Sequence, residues 1–302
     1  MRLPLVAALA LGFTLAAPSA LAQSADRPLQ SLESGLDVQG WEGVGRIDIG
    51  AQGFCTGALI SERLVLTAAH CLFDKDTGRR FADTDLVFQA GWRNGRAAAE
   101  GRVLRSVVYP GYNPTGGAEI GNVAHDLALL ELTHPIRNRG VTPFAVYSEP
   151  RHGDQVGVVS YGRGRSEAPS LQESCRVIDR DRNGVLMMSC SVDFGSSGAP
   201  VFGFSQGQAH IVSVVSAKGK GQVDGDMQNV SLGVSLGPRL DTLRAALEAS
   251  DRRFIQAPTA QSDAPRQMSS GGGARFLRPL KSRNINGLTG VLDVTSKLRA
   301  GS

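Results

Sequence analysis

Cysteine and aromatic residues are both scarce in this chain of 302 residues, which has four cysteines and 6% aromatic residues. The cysteines form no Cys-x-x-Cys pair, and the five histidines are not spaced as metal ligands, which argues against a zinc site. The net charge of +4 is small, and no basic stripe is interleaved with aromatic residues. Nucleic-acid binding is therefore not expected.

Long apolar runs are also missing, except at the N-terminus. Met1 and Arg2 give a positive start, residues 3–17 are nearly all apolar, and residues 20–22 form a small-x-small cleavage pattern. This arrangement predicts a secretory signal peptide over residues 1–22, and therefore a secreted or periplasmic protein. A membrane anchor is the alternative, but the run is short and Pro18 interrupts its end.

An even number of cysteines in an exported protein predicts disulfide bonds. Four cysteines allow three pairings, and the shortest loops are those closed by Cys55 with Cys71 and by Cys175 with Cys190. A loop as long as the first is worth about 3 kcal/mol in the chain-entropy treatment.

The composition divides the remaining chain into three parts. Residues 23–40 are polar and are interpreted as an N-terminal extension or propeptide, and residues 41–250 as the globular domain. Residues 251–302 are predicted to be a flexible basic tail, because Pro and a Gly run come first. The last part of this tail regains some apolar residues, which form either a small docking element or nothing.

Short β-rich runs separated by turn residues fill the globular region, which indicates an all-β barrel or sandwich. The predicted strands are Val44–Ile49, 57–60, Leu64–Thr67, Leu86–Ala90, 103–109, 127–132, 156–161, 185–190, 199–204, 211–215 and 230–236. Helical periodicity occurs clearly once, after Pro238, where Leu240, Leu243 and Leu247 fall on one face.

Three segments carry residues suited to nucleophilic catalysis, which needs a serine, a base and a group that orients the base. His70 follows an apolar run and two alanines, and stands beside Cys71. Asp126 precedes an apolar strand that could bury its carboxylate. Ser197 has Gly195 and Gly198 close by, which permit a tight turn with exposed amides.

These segments resemble those of the trypsin/chymotrypsin superfamily of serine proteases, in the bacterial secreted branch similar to the glutamyl endopeptidases. Residues 67–71 (Thr-Ala-Ala-His-Cys) match the family motif residue for residue, and residues 126–129 look like its Asp-(Ile/Leu)-Ala-Leu motif. Residues 195–200 (Gly-Ser-Ser-Gly-Ala-Pro) are similar to its Gly-Asp-Ser-Gly-Gly-Pro motif. With residues 55–61 and 158–162, the resemblance covers about residues 41–250.

The resemblance implies an all-β fold of two six-stranded antiparallel barrels with a C-terminal helix, chymotrypsin-like. It implies a monomeric endopeptidase for protein or peptide substrates that needs no cofactor. His70, Asp126 and Ser197 would be the catalytic residues, and the amides of Gly195 and Ser197 the oxyanion hole.

Two departures from the family pattern bear on activation and specificity. Ser196 stands where trypsin has an aspartate that pairs with a new N-terminus, so activation by such an ion pair is not expected. By the resemblance Ser191 lies near the base of the primary pocket, where it replaces the aspartate of trypsin, so selection of Arg or Lys by an ion pair is not expected. By the same resemblance Ser216 and Lys218 belong to the pocket wall. Lys218 and Lys220 either favour an acidic substrate side chain or are ordinary surface lysines.

Two other functional classes compete with this interpretation. The α/β-hydrolase elbow is rejected, because position 199 is Ala and the serine follows Asp and His in the chain. A protease-like binding or adhesion protein is the alternative function, because such folds can lose their chemistry. The intact His, Asp and Ser favour the enzyme.

Overall fold

The computed structural model describes residues 28–147, 150–223 and 225–249, and the backbone of residues 293–297. The predicted signal peptide and residues 251–292 of the predicted tail lie outside the described residues. None of the helices in the described part is long and apolar enough to cross a membrane.

Six strands in the first half of the chain form a closed antiparallel barrel, and a short strand, β1 (Gln30–Ser31), precedes them. The barrel strands are β2 (Val44–Ile49), β3 (Phe54–Leu59), β4 (Leu64–Thr67), β5 (Leu86–Ala90), β6 (Ala99–Val108) and β7 (Ala128–Leu132). Their order around the barrel is β2-β3-β4-β7-β6-β5.

Six strands of the second half form a ring in which each strand pairs with two neighbours. These strands are β8 (Gln155–Gly162), β9 (Arg165–Arg180), β10 (Val185–Met188), β11 (Pro200–Ser205), β12 (Gln208–Val223) and β13 (Asp226–Ser235). The order is β8-β9-β10-β13-β12-β11, and β11 pairs back with β8. Strand β1 adds to β9, and β14 (Asp293–Lys297) adds to β12.

Helices are few and short. The first, α1, covers Ile120–Val123, and two 3₁₀ turns cover Ala69–Leu72 and Asp83–Asp85. The C-terminal helix α2 covers Gly237–Glu248, and it buries the three leucines predicted to share a face. The predicted all-β fold with a C-terminal helix is confirmed: the first sheet closes into a six-stranded barrel and the second is ring-like.

Alternation of apolar and polar residues places one face of each first-barrel strand inside. In β5, Leu86, Phe88 and Ala90 are buried while the residues between them are partly exposed, as the period of two requires. One large apolar cluster fills the barrel and extends to α2, and a second fills the ring.

Three aromatic rings join the two halves. Trp41 precedes β2, Phe144 lies in the connection between the halves, and Phe202 belongs to β11. The Phe144 and Phe202 centroids are 4.8 Å apart, and those of Trp41 and Phe202 are 5.0 Å apart. Edge-on packing of this kind adds to the apolar burial and fixes the halves against each other.

Strand β9 was not among the predicted strands. Its sequence contains charged residues and Pro169, and polar side chains such as Ser170 and Gln172 are buried within it. A pattern search for apolar alternation therefore passes over it, because its buried face is satisfied partly by hydrogen bonds rather than by apolar contacts.

The N-terminal segment packs more closely than its polar composition indicates. Leu32 is 2% exposed and Val38 is 5% exposed, and both belong to the main apolar cluster. The backbone N–H of Leu32 donates to the Pro169 carbonyl at 2.9 Å. Its polar composition predicts a segment outside the core, because two isolated apolar residues are too few to indicate that it packs against the domain.

Candidate active site

His70 lies in the 3₁₀ turn that follows β4. Ala68 and Ala69 are fully buried, so the chain can turn there without large side chains intervening. The next residue, Cys71, forms a disulfide with Cys55 of β3. The His70 backbone is therefore attached covalently to the neighbouring strand.

Asp126 follows α1 and is completely buried. Its Oδ1 accepts the backbone N–H of His70 at 2.8 Å, and its Oδ2 lies 2.7 Å from His70 Nδ1. The hydroxyl of Ser216 on β12 also donates to Oδ2. Hydrogen bonds from several donors are what keeps a buried carboxylate ionised.

This arrangement decides which ring nitrogen of His70 carries the proton. A carboxylate accepts only, so Nδ1 must be the donor and Nε2 the acceptor in the neutral ring. Nε2 is buried and has no hydrogen-bond partner among the described residues. An imidazole held in this tautomer is suited to removing a proton from a nucleophile.

The segment that carries Ser197 packs directly on the segment that carries His70. The Ser197 carbonyl accepts the backbone N–H of Thr56 at 2.8 Å. Gly198 has a φ of 76°, and a Cβ at this position would collide with Thr67 Oγ1 and the Thr56 carbonyl. Only glycine allows this close approach.

Gly195, two residues before Ser197, is similarly confined. Its φ is 92°, and an added Cβ would overlap the ring of Phe54. Thr56 Oγ1 donates to the Gly195 carbonyl at 2.8 Å. The loop from Gly195 to Gly198 is thus bound at both ends to β3, where Thr56 lies next to the disulfide.

Ser196 points away from solvent into a polar cluster. Its Oγ lies 3.0 Å from Ser160 Oγ and 3.1 Å from the Tyr161 carbonyl, and it accepts the backbone N–H of Asp193 at 3.3 Å. The guanidinium of Arg165 also donates to this hydroxyl, at 3.4 Å. The buried Ser196 side chain is therefore well supplied with hydrogen-bond partners.

A cavity of about 250 Å³ is lined by residues 190–193, which precede the loop that carries Ser197, and by parts of β12 and β13. Two of the three residues predicted for the primary pocket, Ser191 and Lys218, line it. The remaining lining residues are Cys190, Val192, Asp193, Gly219, Lys220, Asn229 and Val230. The third residue, Ser216, is not in the lining; its hydroxyl faces Asp126 instead.

Lys218 is engaged at the rim of this cavity. Its Nζ lies 2.7 Å from Asp193 Oδ1 and 4.4 Å from the centroid of the Phe194 ring. Burial would raise the pKa of Asp193, but hydrogen bonds from Lys218 and the Phe194 amide, with the charges of Lys218 and Arg163, lower it below its usual value. Lys220 is exposed along the same wall.

The buried carboxylate also affects the pKa of a neighbouring tyrosine. Burial, with a smaller contribution from the negative charge of Asp126, raises the pKa of Tyr112 well above its usual value. Tyr112 therefore remains a neutral phenol at any physiological pH. Its ring lies 5.7 Å from that of Phe73.

The cysteines near His70 do not form a metal site. Cys55, His70 and Cys71 have ligand atoms within 4.8 Å of one another, but both sulfurs belong to the disulfide. A sulfur in a disulfide is not the thiolate that metals require. The second disulfide joins Cys175 and Cys190, so the prediction of disulfide bonds is confirmed.

Sequence reasoning missed two features of the site: the contacts of Thr56 with the Ser197 loop and the hydrogen bond from Ser216 to Asp126. Thr56 holds the Ser197 segment from β3, yet it stands alone in its own strand and no spacing relates it to Ser197. The resemblance predicts Ser216 in the pocket wall, whereas its hydroxyl donates to Asp126. His125 lies apart, with Nδ1 2.7 Å from the Gly121 carbonyl.

The chain is similar to several proteases. It is 30% identical over 151 residues to a glutamyl endopeptidase of Bacillus licheniformis, covering 50% of this chain and 45% of that protein. It is 34% identical over 100 residues to coagulation factor IX of Oryctolagus cuniculus, covering 32% of each. Serine protease 23 of Bos taurus is 26% identical over 212 residues, which is 61% of this chain and 54% of that protein.

These matches leave much of each relative uncovered: the chain spans between about a third and about half of their lengths. Among solved structures, a Glu endopeptidase in complex with MPD superposes with a TM-score of 0.54 at 20% identity, over 68% of this chain and 90% of that one. At this identity the likeness concerns the fold.

A match to a protein-family model supports the same family as the fold and the order of the His, Asp and Ser segments. Residues 55–210 match the trypsin-like peptidase domain, a span of more than half of the chain that includes all three segments. The chain therefore belongs to the trypsin-like peptidase family, within the trypsin/chymotrypsin-like serine proteases.

Proposed function

We propose that this protein is an exported serine endopeptidase in which Ser197 attacks the peptide carbonyl, His70 is the base, and Asp126 orients the imidazole. The observation that carries the proposal is the buried carboxylate of Asp126, which binds both the backbone N–H and Nδ1 of His70. That double contact fixes the position and the tautomer of the ring together.

The proposed reaction proceeds through an acyl-enzyme. Nε2 of His70 removes the Ser197 proton as Oγ bonds to the carbonyl carbon, and then donates it to the leaving amine. A water molecule, deprotonated by His70, then attacks the acyl carbon, and the bond to Ser197 Oγ breaks as His70 returns the proton to that oxygen. Catalytic hydrogen bonds are often long before a substrate binds, so the unpartnered Nε2 is compatible with this role.

The backbone amides of Gly195 and Ser197 are the proposed oxyanion donors. Two hydrogen bonds fix the loop between and after them: Ser196 N–H donates to the Asp193 carbonyl and Gly198 N–H to the Val215 carbonyl. The loop conformation is held by these bonds and by Thr56. One such donor is worth about 3 kcal/mol of transition-state stabilisation.

The primary pocket is proposed to prefer an acidic side chain. Its lining carries two lysines and one aspartate, and the aspartate is paired with Lys218. Lys220 remains as an exposed positive charge on the wall. A relative named a glutamyl endopeptidase supports the same choice.

Active-site labelling tests the proposed reaction. A fluorophosphonate should modify Ser197 in the processed protein, and peptide mass spectrometry should locate the label. Ser197→Ala should abolish labelling and peptide hydrolysis, whereas Ser196→Ala should still be labelled at Ser197. A folded, processed protein that is neither labelled nor active would favour the alternative, a non-catalytic binding protein.

Peptides that differ only at the cleaved residue test the pocket. Glu should be cut faster than its neutral counterpart Gln, and Lys220→Met should reduce that ratio up to about fivefold, because an exposed charge contributes below about 1 kcal/mol. Lys75→Met removes the same charge from an exposed site elsewhere and is the control. Equal rates for Glu and Gln in the unmodified protein would rule out the acidic preference.

Export has its own test. The signal-peptide interpretation predicts a protein in the medium or periplasm that lacks residues 1–22. N-terminal sequencing determines its first residue, which is Gln23 where residues 23–40 are retained. Retention of Met1 on the active protein would contradict it.

A further inference from the structure

One edge of β12 changes partners along its length. The other edge pairs with β13 from Ser213 to Val223. On the edge away from β13, β11 pairs with β12 only as far as Val214. The nucleophile segment, residues 195–198, comes next and is joined to this edge by the hydrogen bond from Gly198 N–H to the Val215 carbonyl. Beyond Val215 this edge offers backbone donors and acceptors to another strand.

The C-terminal strand β14 occupies that part of the edge. It pairs antiparallel with β12, with Lys297 opposite Ala217, Ser296 opposite Lys218, and Asp293 opposite Lys220. These β12 residues include Lys218 and Lys220, which line the cavity together with residues 190–193. The strand therefore lies along the cavity wall.

The direction of β14 brings its C-terminal end toward the nucleophile. Both β11 and β14 are antiparallel to β12, so they run the same way along one edge. Lys297 is opposite Ala217, and the nucleophile segment bonds to Val215, two residues further along. At about 3.3 Å per residue the two levels are about 7 Å apart.

We propose that β14 is a tethered peptide that competes with substrates for the free edge of β12, so that the C-terminal segment restrains the enzyme's own activity. A peptide that reaches Ser197 in an extended form would align by strand addition on the part of the β12 edge that β11 leaves unpaired. Strand β14 occupies this part of the edge. The inference rests on the proposed function, since it supposes that peptides are bound for cleavage here.

A tethered competitor should change substrate binding rather than chemistry. Residues 249–292 connect α2 to β14, and a tether of this length gives an effective concentration of about 1 mM at most. At that concentration a strand with a Kd of about 0.1 mM would raise KM about tenfold. The value of kcat should be unchanged, because saturating substrate displaces the strand.

Paired prolines provide the test in the full-length mature protein. Consecutive residues of a strand direct their N–H groups to opposite neighbours. The pair Thr295→Pro with Ser296→Pro therefore removes one N–H donor that faces β12, whichever of the two residues carries it. The control carries two prolines outside the strand, Ser269→Pro with Ser270→Pro. We expect KM to fall about tenfold in the first variant alone, with kcat within twofold.

A synthetic peptide of residues 289–300 should restore inhibition when it is added to the strand variant, and this inhibition should be competitive. Unchanged KM in the strand variant, together with no inhibition by the peptide, would overturn the inference.

Hydrogen exchange gives a readout that needs no activity. In a Ser197→Ala background, the amides of residues 217–220 should exchange faster with the strand prolines than with the control prolines. Equal exchange would overturn the inference. Failure of phosphonate labelling would instead count against the proposed function, whereas normal labelling with equal KM and exchange would count against the inference alone.

Discussion

At the scale of single residues, the site depends on how Asp126 is surrounded. The carboxylate is completely buried and has its hydrogen bonds to His70 and Ser216 as compensation for lost hydration. Loss of its charge should therefore affect the tautomer of His70 more than the fold.

Asp126→Asn should lower kcat by about 10⁴, the loss that the same change causes in a chymotrypsin-type protease. An amide N–H facing His70 Nδ1 would force the proton onto Nε2 and remove the base. The measurement is kcat on a peptide substrate, with unfolding followed in parallel. The exposed Asp76→Asn is the control, and a loss below tenfold would remove Asp126 from the proposed mechanism.

Asp193 supplies a pH-dependent prediction. Its pKa is lower in the folded protein than in the unfolded chain, so its contribution to stability is present above the unfolded value of about 3.9 and is lost as the pH falls through the folded value. We expect Asp193→Asn to flatten this part of the pH dependence of unfolding.

The effect of Asp193→Asn should be below about 1 kcal/mol, because the pair with Lys218 is partly exposed. Urea unfolding at pH 6 and pH 3 measures it. An equal difference in free energy between the two pH values for both proteins would contradict the prediction.

Some residues of the site can be predicted from the sequence and others cannot. His70, Asp126 and Ser197 stand in recognisable motifs, and the structure brings His70 and Asp126 into contact. The roles of Thr56 and of the Ser216 hydroxyl were not predictable, because both act through backbone and side-chain bonds between strands far apart in sequence.

At the scale of elements, predicted and observed strands agree where apolar residues alternate. Val44–Ile49, Leu64–Thr67 and Leu86–Ala90 have the predicted bounds. Strand β12 is much longer than the predicted 211–215, because its second half is rich in Gly and Lys and is extended by pairing with β13 rather than by apolar burial. Pairing between distant strands is not visible in local patterns.

The two disulfides should contribute equally to stability but differ in their effect on catalysis. They close loops of nearly equal length, with sequence separations of 16 and 15, so each should contribute about 3 kcal/mol to stability. Only the bond between Cys55 and Cys71 holds the turn that carries His70. Cys190 instead lines the pocket.

Replacing Cys55 and Cys71 by alanine should therefore reduce both stability and kcat, measured by urea unfolding and by turnover under conditions where the protein is folded. Replacing Cys175 and Cys190 should reduce stability by a similar amount but mainly raise KM. Equal losses of kcat in both double variants would refute this division.

At the scale of the whole molecule, the N-terminal segment connects the two halves. Strand β1 pairs with β9 of the ring, and Leu32 enters the main apolar cluster next to the barrel. The segment thus has a structural part in the folded domain, while its removal by processing stays a prediction.

Leu32→Ala should lower the free energy of unfolding by about 3 kcal/mol, because it leaves a cavity in a packed core. Leu36, four residues later, is 83% exposed, and Leu36→Ala should change stability by less than about 0.5 kcal/mol. Denaturant unfolding compares the two variants. Matching values would mean that the segment does not pack as described.

The hydroxyl of Ser196 has a consequence for the working range of the protein. Where a protease of this family holds its nucleophile loop with a terminal ammonium, alkaline solution neutralises that ammonium, whose usual pKa is about 8. Here the partners of the Ser196 hydroxyl are Ser160, the Tyr161 carbonyl and the guanidinium of Arg165. Arginine keeps its charge in mildly basic solution, so these hydrogen bonds stay intact where a terminal ammonium would lose its proton.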